Sequence, residues 1–486
     1  MAKKITQLQT IQRQKKRSFD AAKQHRLLAS WAAVSRSINI DLKEGIDQVR
    51  GRARDLAQND TAVKKYLSLN AANIVGSTGF VLQAKVMNGD KEDKFANTAI
   101  ESAWANWCKA GVCDISGRMT KNDFDRALIK SIARDGEALI YEHIGADNEY
   151  GYALQLLDVN RLVTRLNEPG GNGKNAIIMG VEIDGNGRPI KYYLYDYMVG
   201  DDQTKWTYKP YAADRVIHLF ITDSPEQVRG YSWLHASMTR LYHLKKYQEW
   251  AIIAAAVGAS KMGFFTTPEG DGTEAADGED ETGALYQEAA GGQFGVLPEG
   301  WDFKSFNPDY PHTMYDSFVK AAKRDISSGL DVSYHALSND LEGVNFSSIR
   351  SGTLEEREEW KVKQDWFIGA YQERIYNNWL KYALLKGAIK LSNGSALPAS
   401  KYDKFKSHTF LGRRWSWVDP LKDVQANVLA MENALLDPYT IAAQQGMDAE
   451  EIIEAIARFK QAMSEKGIEP KDQEKQGQDT FNDGEE

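Results

Sequence analysis

The sequence predicts an α+β protein built from long helices and small β units. Several long stretches repeat apolar residues at helical spacing, and they alternate with short runs rich in Val, Ile, Leu and Tyr that are typical of strands. A chain of 486 residues with 12 Trp, 22 Tyr and 17 Phe is long enough to bury a large core. Some of these aromatic side chains are expected to pack between subunits.

Helical periodicity accounts for most of the chain. In the pattern 349–389, Trp360, Phe367, Tyr371 and Trp379 recur at near-heptad spacing, which predicts one buried face. Small residues on several sides of 251–259 suit a helix that is packed all round, either in a monomer core or between copies in a ring. The predicted helices are 51–75 with a break near residues 59–60, 94–108, 120–133, 232–259, 312–327, 349–389, 421–436 and 449–466.

The predicted strands are short and cluster in the first half of the chain. A hairpin is expected at Asp184-Gly-Asn-Gly187, because this turn sequence lies between two runs rich in β-branched and aromatic residues. The pairs Asn88-Gly89 and Asp135-Gly136 mark a turn and a helix-to-strand junction. The predicted strands are 80–86, 137–143, 154–157, 177–183, 190–195 and 216–221.

One loop, residues 338–348, carries almost nothing bulky. Gly343 can form a bend, and Ser347 and Ser348 can accept hydrogen bonds from free amides where a helix restarts. Thr353 and Glu356 form a second possible helix-start box. The residue pattern alone indicates a surface connection between two helices.

Charge is distributed unevenly. Residues 1–54 hold thirteen Lys or Arg and four Asp or Glu, a net charge of +9, so the rest of this −8 chain carries −17. The basic arm is expected to contact nucleic acid, an acidic partner or a neighbouring subunit, or else to form a solvated amphipathic helix near 27–34. A sequence pI of about 5.7 argues against a protein that wraps DNA phosphates.

An acidic segment follows residue 262. Residues 262–303 include ten acids and no Lys or Arg, and 270–283 is predicted to be a mobile polar insertion. Its carboxylates do not follow the order of an EF-hand, so a calcium site is not expected.

The two cysteines predict a reducing compartment, and the hydropathy predicts a chain without a membrane span. Cys108 and Cys113 have no histidine nearby at ligand spacing, which supports neither a zinc site nor a disulfide framework. The longest apolar run, 251–259, is about half the length that a membrane span requires. We therefore expect a soluble chain with no contact with a membrane and no cleaved signal.

Catalytic and cofactor motifs are not found. The glycine-rich stretch 170–174 fails the phosphate-loop pattern, and the stretch 230–234 around Ser232 lacks the second glycine of a nucleophile elbow. Ser317 and Lys320 match S-x-x-K without the S-D-N or K-T-G that accompanies it in serine enzymes. We expect no catalytic, cofactor-binding or metal-ligating residues, and we keep as an alternative a cytoplasmic hydrolase with an unrecognised serine site at Ser232 or Ser317.

Several segments, in order along the chain, resemble the lambda-type portal proteins of tailed bacteriophages. They span the chain from about residue 52 to residue 420, and they are specific together although each is weak alone. The segments are R-A-R-D-L-A-Q-N-D at 52–60, N-I-V-G-S-T-G-F at 73–80, V-I-H-L-F at 216–220, Q-V-R-G-Y-S-W-L at 227–234, and L-S-N-D-L-E-G-V-N-F-S-S-I-R-S-G at 337–352.

The resemblance implies a structural protein, not an enzyme. It implies a ring of twelve copies at one capsid vertex, a virion component assembled in the host cytoplasm, through which double-stranded DNA enters and leaves. The implied partners are the large terminase subunit, which would supply ATP hydrolysis, the major capsid or scaffold protein and a head–tail connector.

The same resemblance implies a portal-like subunit with wing, stem, clip and crown. The 338–348 loop then becomes a tunnel loop, and its small polar residues Ser338, Asn339, Asn345 and Ser347 would face DNA. The implied regions are 1–50, basic arm; 51–119, first wing part; 120–143, stem helix and strand; 144–229, β-rich clip; 230–261, stem helix; 262–310, second wing part with the acidic loop; 311–389, channel helix, tunnel loop and long wing helix; 390–466, crown; and 467–486, disordered tail.

Overall fold

The computed structural model describes residues 34–196, 207–259, 263–266, 278–279, 285–286, 302–305, 313–343, 345–415, 420–444 and 449–466. Most of the predicted basic arm, the acidic insertion apart from residues 278–279, and the predicted tail lie outside the described residues. The described part mixes long helices with small antiparallel sheets, as the sequence predicts.

Four helices form the N-terminal part: α1 Ile38–Asn59, α2 Thr61–Asn70, α3 Lys94–Trp107 and α4 Lys121–Asp135. Asp60 causes the predicted break, because its extended backbone ends α1 while its carboxylate accepts hydrogen bonds from the amides of Ala62 and Val63 at the start of α2. A π-helical turn, Ala71–Val75, continues α2. α1 begins well before the predicted residue 51, since Leu42 and Ile46 extend its buried face.

Helix α4 begins and ends as predicted at its caps. Thr120 caps its first turn by accepting a hydrogen bond from the amide of Asp123, and Gly136 ends it in the left-handed region at φ +90°. A Cβ at Gly136 would also collide with the backbone of Tyr231. Glycine is therefore required here, both for the turn and for the close approach of a second segment.

The first strands are short. β1 Val81–Ala84 pairs antiparallel with β15 His408–Leu411, and β2 Met87–Asn88 forms a hairpin with β3 Lys91–Glu92. Further short pairs join β11 Gly263–Thr266 to β14 Asp302–Ser305, and β12 Gly278–Glu279 to β13 Leu285–Tyr286.

Two larger sheets occupy residues 138–219. β4 Ala138–Ile144 is central in a three-stranded antiparallel sheet, between β5 Tyr152–Leu157 and β10 Val216–Leu219. The other sheet is an antiparallel meander in chain order: β6 Ala176–Ile178, β7 Val181–Ile183, β8 Pro189–Asp196 and β9 Thr207–Ala212.

The meander differs from the prediction at two points. The single strand predicted over 177–183 is two strands, because Met179 at φ +47° and Gly180 at φ +82° turn the chain between them. β9 was not predicted, since most of its side chains are exposed and Pro210 interrupts the pattern. The predicted hairpin at residues 184–187 is confirmed between β7 and β8.

The helices of the second half are, in order, α5 Met238–Ala259, α6 Tyr315–Ser328, α7 Tyr334–Ser338, α8 Phe346–Phe367, a π-helical turn Ile368–Gln372, α9 Glu373–Leu385, α10 Tyr402–Phe405, α11 Pro420–Glu432, α12 Pro438–Gln444 and α13 Ala449–Glu465. The helix predicted from residue 232 begins at Met238. No helix among the described residues combines the length and the apolar character that crossing a bilayer requires.

The main core forms where the aromatic face of α8 and α9 packs on α3. Trp360, Phe367, Tyr371 and Trp379 are all buried, which confirms the predicted stripe. Trp379 meets Trp104 edge-on, with ring centroids 5.0 Å apart. A second, smaller core lies among the strands and includes Leu139, Leu157, Val181, Leu194 and Val216.

One buried carboxylate joins the two cores. Glu137, between α4 and β4, is fully buried and accepts hydrogen bonds from Arg229 Nη2 at 2.5 Å, Arg50 Nη2 at 2.7 Å and the Gly230 amide at 3.0 Å. His218 Nε2 lies 2.8 Å from the same carboxylate. We call Glu137, Arg229, Arg50 and His218 the Glu137 cluster.

The cluster connects elements that are far apart in sequence. Arg50 comes from α1, His218 from β10, and Arg229 also donates to the Met179 carbonyl at 2.7 Å in the β6–β7 turn. Beside the cluster, Arg54 of α1 makes a bidentate pair with Asp135 at the end of α4, at 2.9 Å for both bonds. Together these bonds fix the sheets against the helical body.

A second buried carboxylate, Glu142 of β4, attaches the same sheet to α9. It accepts hydrogen bonds from Tyr152 Oη at 2.6 Å, Arg374 Nη2 at 2.5 Å and Asn378 Nδ2 at 2.7 Å. One buried carboxylate, Glu137, thus lies directly before β4 and another, Glu142, lies within it.

Replacing Glu137 with Gln tests the first of these junctions. The variant keeps the side-chain shape but leaves the buried Arg229 without a counter-charge and Arg50 with the longer contact to the exposed Asp47 at 3.5 Å, a loss that costs about 3–5 kcal/mol. We expect a lower urea midpoint for the E137Q variant and faster amide exchange in β4 and β10. Glu44→Gln, which removes an exposed partner of Arg36, is the control and is expected to change stability far less. Equal stability of both variants would contradict the role of the cluster.

The same cluster predicts acid sensitivity. Burial lowers the pKa of His218 below its usual 6.5, although its hydrogen bond to Glu137 opposes this shift. Burial opposes ionisation of Glu137 too, but the Arg229 charge and the hydrogen bond from His218 outweigh it and hold the Glu137 pKa well below its usual 4.5. Below each usual value the unfolded chain binds a proton that the native protein excludes, so stability falls as pH falls.

We therefore expect the thermal unfolding midpoint to decline from about pH 6.5 downward, and more steeply below about pH 4.5. His218→Gln keeps a hydrogen-bond donor without a titrating ring, so it should remove the first part of the decline. A midpoint that stays level between pH 7 and pH 5 in the unmodified protein would refute this assignment.

Candidate functional site

The predicted loop lies between α7 and α8. Its end differs from the sequence prediction, because α8 begins at Phe346 and not after Ser348. Ser347 therefore lies in the first turn of α8, and its side chain lies outside the described residues. We call residues 338–345 the α7–α8 loop; within it, Val344 is not described.

Asp340 organises the α7–α8 loop. Its carboxylate accepts a hydrogen bond from Tyr334 Oη at 2.6 Å and another from the Glu342 amide at 3.0 Å. His335 Nδ1 lies 2.6 Å from the Asp340 carbonyl. The hydrogen bond from Tyr334, followed by that from the Glu342 amide, lowers the pKa of Asp340. The loop is thus folded back on α7 by its own side chains.

One cation beside the loop is neutralised. Lys320 of α6 pairs with Glu342 at 2.8 Å and with Asp316 at 2.9 Å. These two hydrogen bonds raise the pKa of Lys320. Arg324 lines the same side of the loop and lies over the Tyr334 ring, 5.3 Å from its centroid, so this side holds charges of both signs.

The start of α7 is tied to the middle of α8. Ser333 caps α7 by accepting from the Ala336 amide at 3.2 Å, and its hydroxyl donates to Glu356 at 3.0 Å. The suggested helix-start box at Thr353 and Glu356 is wrong, because both residues lie inside α8 and Glu356 serves another helix instead.

The four residues predicted to face DNA have different surroundings. Ser338 is half-buried at the end of α7, whereas Asn339 and Asn345 are exposed. Asn339 takes the left-handed conformation at φ +52° and accepts a hydrogen bond from Lys65 Nζ of α2 at 3.0 Å. Ser338 and Asn339 line one side of the loop, Asn345 lines the other, and Ser347 follows at the start of α8.

The serine-hydrolase alternative is not supported. Ser232 is 1% exposed, donates to the Ala133 carbonyl at 3.4 Å and accepts from the Leu234 amide at 3.2 Å, so it is a structural serine. Ser317 is exposed on α6, but Lys320, the lysine of its S-x-x-K match, is held protonated by two carboxylates and cannot act as its base. Within the described ranges, His, Cys, Asp and Glu side chains form no group that could hold a metal.

Comparison with known families gives the class of protein. Residues 24–364 match the family model for phage portal proteins of the lambda family. A probable portal protein of Halomonas phage phiHAP-1 is 33% identical over 460 residues, covering 91% of this chain and 87% of the relative. The chain belongs to the lambda family of phage portal proteins.

More distant relatives and solved structures are also similar. Portal protein B of Escherichia phage lambda is 22% identical over 481 residues, which cover 91% of this chain and 89% of that protein. A chain in the neck of an empty gene transfer agent particle, computed with C6 symmetry, is 13% identical, with a TM-score of 0.44 and coverage of 83% of this chain and 94% of that one.

Sequence reasoning missed the groups that hold the loop. Asp340 was noted only as part of a polar run, and Lys65 is 274 residues away from its partner Asn339. A pattern that places Lys65 on α2 gives no information about a contact this distant in sequence. The available signal was local: an Asn directly after a short helix favours the left-handed conformation.

Proposed function

We propose that this portal protein assembles into a ring of twelve copies around double-stranded DNA, through which the genome enters and leaves the capsid. The observation that carries the proposal is the match of residues 24–364 to the portal family. Within the ring, the α7–α8 loop and the first turn of α8 line the channel, with Ser338, Asn339, Asn345 and Ser347 nearest to DNA.

Exposed apolar side chains on α5 support assembly through this helix. Trp250 is 68% exposed, Ile252 69% and Ile253 59%. A cluster of large apolar side chains this exposed marks a surface that another protein covers. The sequence leaves two positions for this helix, in the core of a monomer or between copies in a ring. The exposed side chains favour the position between copies. The stem formed by 120–143 and 230–261 is thus proposed to bring neighbouring copies together.

The C-terminal helices provide a second candidate contact between copies. Leu421 and Leu429 of α11 and Phe459 of α13 are each at least 60% exposed. Lys94 of α3 pairs with Glu454 of α13 at 3.2 Å, which docks α13 against the body of its own subunit. The proposed crown, 390–466, is also held to the subunit by Lys404–Asp93 at 2.6 Å and Arg350–Asp423 at 2.9 Å, and its exposed apolar sides are left for its neighbours.

The loop chemistry suits passage of DNA rather than retention. Each retained phosphate contact is a barrier to sliding, and Lys320 beside the loop is neutralised by Glu342 and Asp316. Small polar side chains at Asn339 and Asn345 leave space in a channel where many copies converge.

The remaining partners follow from this placement. The clip, 144–229, would face the large terminase subunit, which supplies the ATP hydrolysis, and other surfaces would meet the major capsid or scaffold protein and a head–tail connector. The protein would act in the virion at the capsid vertex after assembly in the host cytoplasm.

Changing Trp250 to Glu tests the assembly contact. A charge in a closely packed contact between copies would be buried without a partner, so we expect the W250E protein to stay monomeric or to form open fragments. Native mass measurement and negative-stain microscopy give the result. Trp250→Phe, which keeps the apolar ring, should still form closed rings; closed rings of the W250E variant would remove α5 from the proposed contact.

Bulky residues at the loop test the channel assignment. We expect Asn345→Trp and Ser347→Trp to leave ring assembly intact while reducing the amount of DNA packaged, because a large side chain from every copy narrows the passage. DNA packaged per particle is the measurement. Asn88→Trp, at an exposed asparagine of the β2–β3 hairpin, is the matched control. Failure of ring formation in the loop variants would show that these residues lie at a subunit contact instead.

A further inference from the structure

Behind the α7–α8 loop lies an open cavity of about 280 Å³. Its walls come from the start of α2, the middle of α5, the end of α6 and the end of α7. A water molecule in the liquid occupies about 30 Å³, so the cavity can hold a tetrahedral oxyanion together with several waters. Leu241, Leu244, Ile326 and Leu337 are its apolar lining residues.

The cavity is strongly cationic. Three half-buried lysines line it, Lys65 from α2, Lys245 from α5 and Lys323 from α6. The lining includes one carboxylate, Asp60, and that group already accepts hydrogen bonds from the Ala62 and Val63 amides at 2.9 and 3.0 Å. In the part of the chain that the structure describes, none of the three lysines has a carboxylate partner within ion-pair distance.

Lys65 is also the attachment point of the loop. Its ammonium donates to Asn339 Oδ1 at 3.0 Å, and Asn339 is the first residue after α7. A neutral amide oxygen is a weaker acceptor for an ammonium than a phosphate oxygen, because the phosphate adds the attraction between two opposite charges. An anion that enters the cavity therefore competes with Asn339 for Lys65.

We propose that this cavity binds a phosphate group, and that binding releases Asn339, the first residue after α7, from Lys65. The three lysines provide the positive charge, and the Lys65–Asn339 bond is the latch. The identification of a DNA backbone phosphate as the source rests on the proposed function, whereas binding of free phosphate does not.

Two variants of the latch change phosphate affinity in opposite directions. Lys65→Ala removes one of the three cations, so pyrophosphate should bind less tightly. Asn339→Ala removes the internal competitor, so pyrophosphate should bind about two- to tenfold more tightly, the range expected for one lost hydrogen bond. Lys64→Ala is the matched control, because Lys64 is the exposed neighbour of Lys65 on α2 and does not line the cavity.

The measurement is the rate at which an acylating reagent labels each lysine of the intact purified protein, read by peptide mass spectrometry. At a pyrophosphate concentration about ten times its Kd, labelling of Lys245 and Lys323 should slow by about tenfold, and that of Lys64 should not change. The dependence on concentration gives the Kd in each variant. Amide exchange over residues 337–339 should accelerate when pyrophosphate binds, and in the N339A variant it should be fast from the start. The Glu342 amide, which Asp340 still holds, should not change.

The same labelling experiment with duplex DNA identifies the source of the phosphate. If duplex DNA protects the same lysines in assembled rings, the phosphate belongs to the DNA backbone; if only pyrophosphate does, the cavity is a free-phosphate site and the α7–α8 loop does not present it to DNA. Unchanged labelling with pyrophosphate overturns the proposal, as does an N339A variant that binds no more tightly. Lysines that are unreactive in rings before any addition would mean that acidic groups of a second copy fill the cavity, which also overturns it.

Discussion

The ionised carboxylate of Glu137 is the constraint on which the rest of this subunit depends. It is fully buried and meets two guanidinium groups, an imidazole and a backbone amide, which come from α1, β10 and the segment before α5. A buried ion pair adds little net stability compared with apolar packing, but breaking one is costly. The cluster therefore acts less as a source of stability than as a restriction on how the sheets can sit on the helices.

This restriction extends toward the α7–α8 loop. Gly136, next to Glu137, allows the backbone of Tyr231 to pass closely, and that segment leads through Ser237 into α5. Ser237 donates a hydrogen bond to the Ile326 carbonyl at 3.1 Å, so the start of α5 is fixed to the end of α6. α6 in turn carries Lys320, which holds Glu342 of the loop. A series of contacts thus connects the residues around Glu137 to the loop within one subunit.

The sequence was informative where local chemistry decides the structure. The break at Asp60, the cap at Thr120, the turn at residues 184–187 and the buried face of α8 and α9 all follow from caps, turn residues or periodicity. It was not informative where the partner is distant: Arg50 lies 87 residues from Glu137, and Arg229 lies 92 residues from it. β9 escaped prediction for another reason, since an exposed strand has no buried face to reveal its period.

The two sides of the α7–α8 loop differ in electrostatic character, and this difference bears on the proposed passage of DNA. On one side Glu342 and Asp316 neutralise Lys320; on the other, three lysines line the cavity, and among the described residues none of them has a carboxylate partner, while Lys65 donates to the Asn339 amide oxygen. A phosphate that reaches Lys65 must replace an existing hydrogen bond, and the loss of that bond, about 0.5–1.5 kcal/mol, is subtracted from its affinity. Under the proposed latch, the same replacement releases Asn339. A contact of this kind is weak because it has an internal competitor, so it can respond to DNA without retaining it.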